Sequence, residues 1–258
     1  MPTGIFYAFG YIHAHQAAIL NDKQGLKTLI NPLHDPWWAG PLLALISAPV
    51  LLFLVRSVPA RLERSWEEHV CEMPVVLCGM TKRLDVAFIL VWCLICIAAI
   101  QFWGMSQQGL ASILFCGGLL TLARIDLQTG LLPDMLTLTL MWLGMLFQLY
   151  GGWISLSSSV AGAAGGYGLL WLIFTFYKWK TGREGMGYGD FKLAAALGAW
   201  LGVQAIPSLL LYASLSGALV GFLAQRYWRL PGSMAIPFGP FLATAGILIL
   251  FCDYAPKG

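Results

Sequence analysis

Eight apolar stretches separated by short polar connectors fill most of this sequence, at residues 38–55, 86–103, 109–122, 133–150, 158–177, 188–203, 206–224 and 236–252. Few folds are open to such a chain. Inside a bilayer each backbone N–H and C=O must be satisfied within the protein, which favours helices as the spanning elements. A spanning helix needs about 20 apolar residues, and most of the stretches approach that length. Composition agrees: 59% of the residues are hydrophobic and 10% are charged, against roughly 25% charged in a soluble domain. The chain reads as an all-α integral membrane protein with about eight transmembrane helices, the third and sixth of them short.

Charge bias orients the bundle, because Lys and Arg concentrate on the cytosolic side. Arg56, Arg61, Arg64, Lys82 and Arg83 follow the first stretch, and later connectors of the same parity hold Arg124, then Lys178, Lys180 and Arg183, then Arg226 and Arg229. Lys192 lies near that side, and the opposite side keeps Lys23, Lys27 and Lys257. The basic side is expected to face the cytosol, with both termini outside. Residues 1–37 form an extension on the outer side. They do not resemble a signal peptide: Met1 to Phe9 has no basic residue, and His13 and His15 interrupt the apolar run.

Against this background two acids stand out. Asp126 lies in Ala123-Arg124-Ile125-Asp126, and Asp190 closes Gly185-Met186-Gly187-Tyr188-Gly189-Asp190. Each sits at the edge of an apolar stretch, and both fall on the basic side. An ionisable group at membrane depth is costly, so its default reading is functional. Two carboxyls that meet in a protected site cannot both ionise easily, so one stays protonated while the other acts as base. The bland readings are a helix N-cap for Asp190 and an ordinary cytosolic turn for Asp126, which precedes Gln128-Thr129-Gly130. For Asp134, which follows Pro133, a helix cap is the preferred reading and substrate positioning the alternative.

The alternating glycines Gly185, Gly187 and Gly189 are expected to let backbone bend into the site and pass close to a substrate. They do not form a phosphate loop, since no Lys-Ser/Thr follows at the required spacing. Gly162 and Gly166 form a small-xxx-small pair, the pattern of close helix packing, and would let the fifth helix approach the acid-bearing ones. Cys93 and Cys96 are spaced as a redox pair but fall in an apolar stretch, so packed or lipid-facing thiols are expected. All four histidines lie outside the apolar stretches, so no Ser-His or Cys-His pair competes with the two acids.

The segment Gly185-Met186-Gly187-Tyr188-Gly189-Asp190-Phe191-Lys192-Leu193 resembles the GxGD signature of the type IV prepilin peptidases. Ile125-Asp126-Leu127-Gln128-Thr129-Gly130-Leu131-Leu132-Pro133-Asp134 resembles their first catalytic segment, and the spacing of 64 residues from Asp126 to Asp190 is also what that family shows. Ile236-Pro237-Phe238-Gly239-Pro240-Phe241 resembles the last-helix motif, and Arg61-Leu62-Glu63-Arg64-Ser65-Trp66 the first cytosolic segment. The resemblance implies eight transmembrane helices in a bacterial inner membrane. It implies an intramembrane aspartic endopeptidase with Asp126 and Asp190 as catalytic pair, and Gly185, Gly187, Gly189, Lys192 and Asp134 as substrate-binding or loop residues. The implied substrates are prepilins or pseudopilins with a basic leader ending in Gly, cut at the cytosolic membrane face. Many members also methylate the new N-terminus with S-adenosylmethionine. Besides the 1–37 extension, the chain divides into two first helices with a short cytosolic loop (38–103, loop 56–85) and a six-helix peptidase core (104–258).

One departure concerns metal. Many bacterial members carry two CxxC pairs in the first cytosolic loop, a four-thiolate zinc site. This chain has Cys71 and Cys78 there, with His69 nearby. Zinc is not expected, and proteolysis by two acids needs no cofactor. Membrane lipid and a pilin-like substrate are the expected partners, with no nucleic acid. The rival from another class is a proton-coupled transporter using the two acids as a relay, which is disfavoured because both lie at one face and no inverted repeat is evident. An assembly factor without chemistry is the third reading.

Overall fold

The computed structural model describes residues 39–65, 81–182, 185–228 and 237–255. The extension 1–37, and within the first loop His69, Cys71 and Cys78, lie outside the described residues. The described residues form eight α-helices: α1 (Ala39–Ser65), α2 (Thr81–Trp103), α3 (Gln107–Thr129), α4 (Asp134–Leu149), α5 (Leu156–Thr181), α6 (Tyr188–Leu201), α7 (Ile206–Trp228) and α8 (Gly239–Ile249). A 3-10 turn, Val203–Ala205, precedes α7, and a π-helical turn, Leu250–Tyr254, follows α8. There is no strand among them. Each apolar stretch of the sequence corresponds to one helix. By length and composition four segments can cross a membrane: Asp85–Trp103, Gln107–Thr129, Leu156–Thr181 and Val203–Arg226. Leu43–Ser57, Asp134–Leu149 and Gly239–Tyr254 are shorter apolar helices.

The sixth stretch departs most from a simple span. With 14 residues, α6 extends about 21 Å at 1.5 Å per residue, less than the roughly 30 Å hydrocarbon core. Phe191 and the run from Leu193 to Leu201 are buried, so the helix is covered all round, as expected of one that is apolar on every face. It packs chiefly against α5 and α4, with α8 also against it.

Because α6 ends inside the protein, its last four carbonyls need partners there. The Gly198 oxygen accepts from the Gly202 N–H at 2.8 Å. The Ala199 oxygen accepts from Ser159 Oγ of α5 at 2.6 Å, and the Trp200 oxygen from Gln148 Nε2 of α4 at 3.0 Å. The Leu201 oxygen accepts from the Tyr254 hydroxyl at 2.5 Å. Three different elements thus close the buried end. Trp200 is locked as well: its Nε1 donates to the Leu140 oxygen at 2.8 Å, and its ring lies over Gly144.

Glycines set the distance between α5 and α6. A Cβ on Gly198 would land on the Gly162 carbonyl, and one on Gly162 would land on the Gly198 carbonyl. A Cβ on Gly166 would lie 2.5 Å from the Ala194 oxygen. Gly162 and Gly166 therefore bring α5 against the helix that carries Asp190, as small residues do where membrane helices approach closely. Gly198→Leu is expected to cost about 1–3 kcal/mol or more through overpacking and to lower the thermal midpoint of the detergent-solubilised protein. Gly168→Leu, on the same α5 but facing open space, should leave that midpoint nearly unchanged.

Helices α1 to α3 pack together. Trp92 Nε1 donates to Ser47 Oγ at 3.0 Å, and the Trp92 ring lies over Gly117. Arg124, read from sequence as a connector charge, is instead inside α3 and 7% exposed. Its guanidinium meets Asp85 at 3.4 Å, and Asp85 also pairs with Arg56 at 3.0 Å, tying the three helices together. Cys96 and Cys116 are buried and Cys93 is half-buried, all as free thiols.

Candidate active site

Asp126 and Asp190 are both buried, at 4% and 7% exposure, and they reach the same end of the bundle from opposite chain directions. Asp126 lies one turn before the end of α3. That helix continues past the apolar stretch read from sequence, and Thr129 Oγ1 bonds back to the Ile125 oxygen at 2.9 Å. Gly130 then takes the left-handed conformation (φ 65°) and donates its N–H to the Asp126 carbonyl. Glycine adopts this C-cap conformation without the penalty other residues meet. The turn sends the chain directly into α4.

Asp190 is the third residue of α6, whose N-cap is Gly187. The simple cap reading of Asp190 therefore does not hold. Its carboxyl lies over the start of the helix, with Oδ2 3.7 Å from where a Cβ on Gly187 would sit. Its own N–H donates to the Gly187 oxygen at 3.2 Å. Tyr188 and Phe191 brace the start of α6 against Phe174 of α5, with ring centroids 5.5 and 5.4 Å away. The charge of Asp126 is felt at Asp190, so the two carboxyls share one electrostatic environment.

Gly239 holds Asp126 from a third direction. At the start of α8 its N–H donates to Asp126 Oδ2 at 3.0 Å. A helix N-terminus, with unpaired N–H groups and the positive end of its dipole, favours an anion. A Cβ at position 239 would fall 2.5 Å from Oδ2, so the contact requires glycine. Local sequence pattern alone does not point to Gly239 as a partner of Asp126, 113 residues away. The signal was present in the segment Pro237-Phe238-Gly239-Pro240, a helix start beside a glycine, but which side chain meets it depends on how α8 packs against α3.

The glycine loop behaves differently from the expectation of unusual backbone. Gly187 has φ −76°, and neither Gly185 nor Gly189 adopts a positive φ. What matters is the missing Cβ. At Gly189 a Cβ would lie 2.8 Å from Leu132 Cβ, in the connector between α3 and α4. At Gly185 it would lie 2.8 Å from the Tyr177 ring. At Gly187 it would meet only Asp190 Oδ2, at an ordinary 3.7 Å. Gly189 thus lets the chain after Asp126 press against the helix start bearing Asp190. Gly189→Val is expected to separate these two segments and reduce activity at least about tenfold, with a smaller loss of folded protein. Comparing turnover with the amount of monodisperse protein checks this.

Lys192 Nζ meets both Asp134 oxygens at 2.6 Å, joining α6 to α4 at the rim of the site. Asp134 is the first residue of α4, and Pro133 is its N-cap without a side-chain bond. The preferred cap reading of Asp134 is therefore corrected: its carboxylate serves an interhelical ion pair. Among the described residues no cluster of three His, Cys, Asp or Glu side chains is arranged to hold a metal ion.

Beside the acids runs an apolar groove of about 270 Å³ between α5, α7 and α8. Met186 of the glycine loop and Phe238, next to Gly239, are among the residues that line it. Ser214 in its wall bonds back to the Leu210 carbonyl of its own helix at 2.6 Å, so that hydroxyl is already paired.

A multi-pass helical membrane protein with two buried acids at one end of its bundle is the class that fold and site define. Comparison with known proteins narrows it. The type IV leader peptidase family matches residues 113–222. A prepilin leader peptidase/N-methyltransferase of Pectobacterium carotovorum subsp. carotovorum is 34% identical over 262 residues, 83% of this chain and 93% of that protein. Proteins of the same name from Aeromonas hydrophila and Burkholderia pseudomallei strain K96243 are 51% and 47% identical over 148 and 153 residues. Those matches take in 57% and 59% of this chain, and it spans about half the length of these two relatives. No solved structure matches the chain. The chain belongs to the type IV leader peptidase family.

Proposed function

We propose that this protein is an aspartic endopeptidase that cuts the basic leader from type IV prepilins or type II secretion pseudopilins. The supporting observation is the meeting of two buried acids, 64 residues apart in sequence, at the end of the bundle where the basic residues concentrate. Charge bias assigns that end to the cytosolic face of a bacterial inner membrane. In this reading all eight helices enter the bilayer, with α6 shielded by its neighbours, and α3 to α8 form the peptidase core behind the α1–α2 pair.

Asp126 and Asp190 share one proton. The ionised acid takes a proton from a water molecule whose oxygen attacks the scissile carbonyl carbon. The protonated acid donates to the developing oxyanion, and a proton then passes to the leaving nitrogen as the C–N bond breaks. The products are a leader carboxylate and a new amine. The two carboxyls carry these proton transfers between them. The Lys192–Asp134 pair holds the rim, and Gly185 and Gly189 give the site its close packing.

The names of the relatives include N-methyltransferase, which implies S-adenosylmethionine. The apolar groove does not fit that molecule. An aminocarboxylate and a sulfonium need polar or charged partners, and this groove offers Ser214, whose hydroxyl is already bonded to Leu210.

Proteoliposomes containing the purified protein separate the proposal from a proton relay. A protease shortens an added prepilin and leaves an imposed pH gradient intact. A transporter dissipates the gradient and leaves the precursor whole.

A further inference from the structure

Two acids that share one proton leave open which of them holds it. We propose that Asp126 is the ionised member and acts as the general base, while Asp190 carries the proton and acts as the general acid. The roles rest on the protease reading; the placement of the charge rests on the geometry around the carboxyls.

The start of α8 makes the difference. Pro240 has no N–H, and the N–H groups of Phe241 and Leu242 both donate to the Phe238 oxygen, at 3.1 and 3.2 Å. The Gly239 N–H is aimed instead at Asp126 Oδ2, at 3.0 Å and in a buried setting. A backbone N–H that bonds a carboxyl favours its ionised form, and such a bond to a charged group is worth roughly tenfold or more in where the proton sits. Asp190 receives no such bond from another helix among the described residues.

Helix ends pull the other way, but less. Asp190 lies in the first turn of α6, where the dipole favours an anion. Asp126 lies in the last turn of α3, where it does not. End effects of this kind are smaller than a direct bond to a buried anion. The nearby cations are engaged elsewhere, Lys192 with Asp134 at 2.6 Å and Arg124 with Asp85 at 3.4 Å. Two like charges at close range do not both ionise easily, so a carboxylate held at position 126 leaves the proton at 190.

Protons then move in one direction. Asp126 takes a proton from water, whose oxygen bonds the scissile carbonyl carbon, and Asp190 gives its proton to the carbonyl oxygen. The resulting diol collapses as Asp126 passes its proton to the leaving nitrogen, the C–N bond breaks and a diol proton returns to Asp190. Both acids end as they began.

Two esterifying reagents with opposite requirements read the charges directly. Glycidyl nitrophenyl ether reacts with a carboxylate: the oxygen bonds the terminal epoxide carbon, the ring C–O bond breaks, and water protonates the alkoxide. Ethyl diazoacetate needs a carboxylic acid: the acid proton moves to the diazo carbon, dinitrogen leaves, and the carboxylate oxygen bonds that carbon. The protein in proteoliposomes is treated with each reagent at neutral pH, and the esters are located by peptide mass spectrometry. The epoxide should mark Asp126 over Asp190 at least about tenfold, and the diazo ester should show the reverse preference. Gly239→Ala should reduce the epoxide's preference for Asp126 at least about threefold, because the bond that holds the anion is displaced. Gly187→Ala should leave that preference unchanged. Reversal of either preference, equal marking of the two acids by the epoxide, or absence of the epoxide ester from Asp126 or of the diazo ester from Asp190 would overturn the assignment. So would an unchanged preference in folded Gly239→Ala protein. The readout needs no cleavage: the expected esters on a wild-type protein that leaves a prepilin whole would defeat the protease reading and keep the placement of the charge.

Discussion

Asp126→Asn and Asp190→Asn should each reduce cleavage of a prepilin at least about a hundredfold, the usual scale of a positioned general acid or base. An amide keeps nearly the shape of the carboxyl but cannot exchange the proton that the pair shares. Both variants should insert and fold, because the isosteric amide fills the same space and, at position 126, still offers an oxygen to the Gly239 N–H. The double variant should be scarcely worse than either single one, since residues that act as a unit lose their effect together. Turnover normalised to folded protein checks all three. Additive losses would show that the acids act independently, and near-normal turnover by either variant would remove that residue from the chemistry.

Gly239→Ala should be nearly as damaging, although it adds a single methyl group and lies outside the acid pair. The added carbon would fall 2.5 Å from Asp126 Oδ2, closer than van der Waals contact allows. The carboxyl or the start of α8 must shift, and a displacement near 1 Å in a catalytic site can cost about a hundredfold in rate. The loss should appear in kcat, with the protein still folded. Gly187→Ala is the control: its Cβ would lie at an ordinary 3.7 Å from Asp190 Oδ2, on backbone with φ −76° that any residue adopts. It should retain activity within about threefold. Equal behaviour of the two variants would show that the Gly239 contact is not what orients Asp126.

Hydropathy exposed the helices because lipid demands long apolar segments, and each of the eight stretches corresponds to one helix. It misjudged the end of α3. Arg124 and Asp126 broke the apolar run at residue 122, yet the helix continues to Thr129, because Asp85 and Gly239 satisfy those two side chains from other elements. The nature of α6 was hidden for a similar reason. Its composition suits a short span, whereas the side chains that close its C-terminus, Ser159, Gln148 and Tyr254, come from distant segments. The acids themselves were legible, since a carboxyl at the edge of an apolar run has few inexpensive explanations. Their supports were not. The Gly239 contact spans 113 residues and the Lys192–Asp134 pair spans 58, and nothing in local pattern links residues so far apart. Asp134 was read locally as a cap, and only the position of α6 reveals its partner.

Mass spectrometry of a prepilin incubated with the purified protein in proteoliposomes tests the central claim most directly. Wild-type protein should release the leader by a single cut after its terminal Gly, giving a mature chain that begins with the next residue, while Asp126→Asn and Asp190→Asn leave the precursor intact. An intact precursor after incubation with folded wild-type protein, or the same product from both Asn variants, would contradict the account.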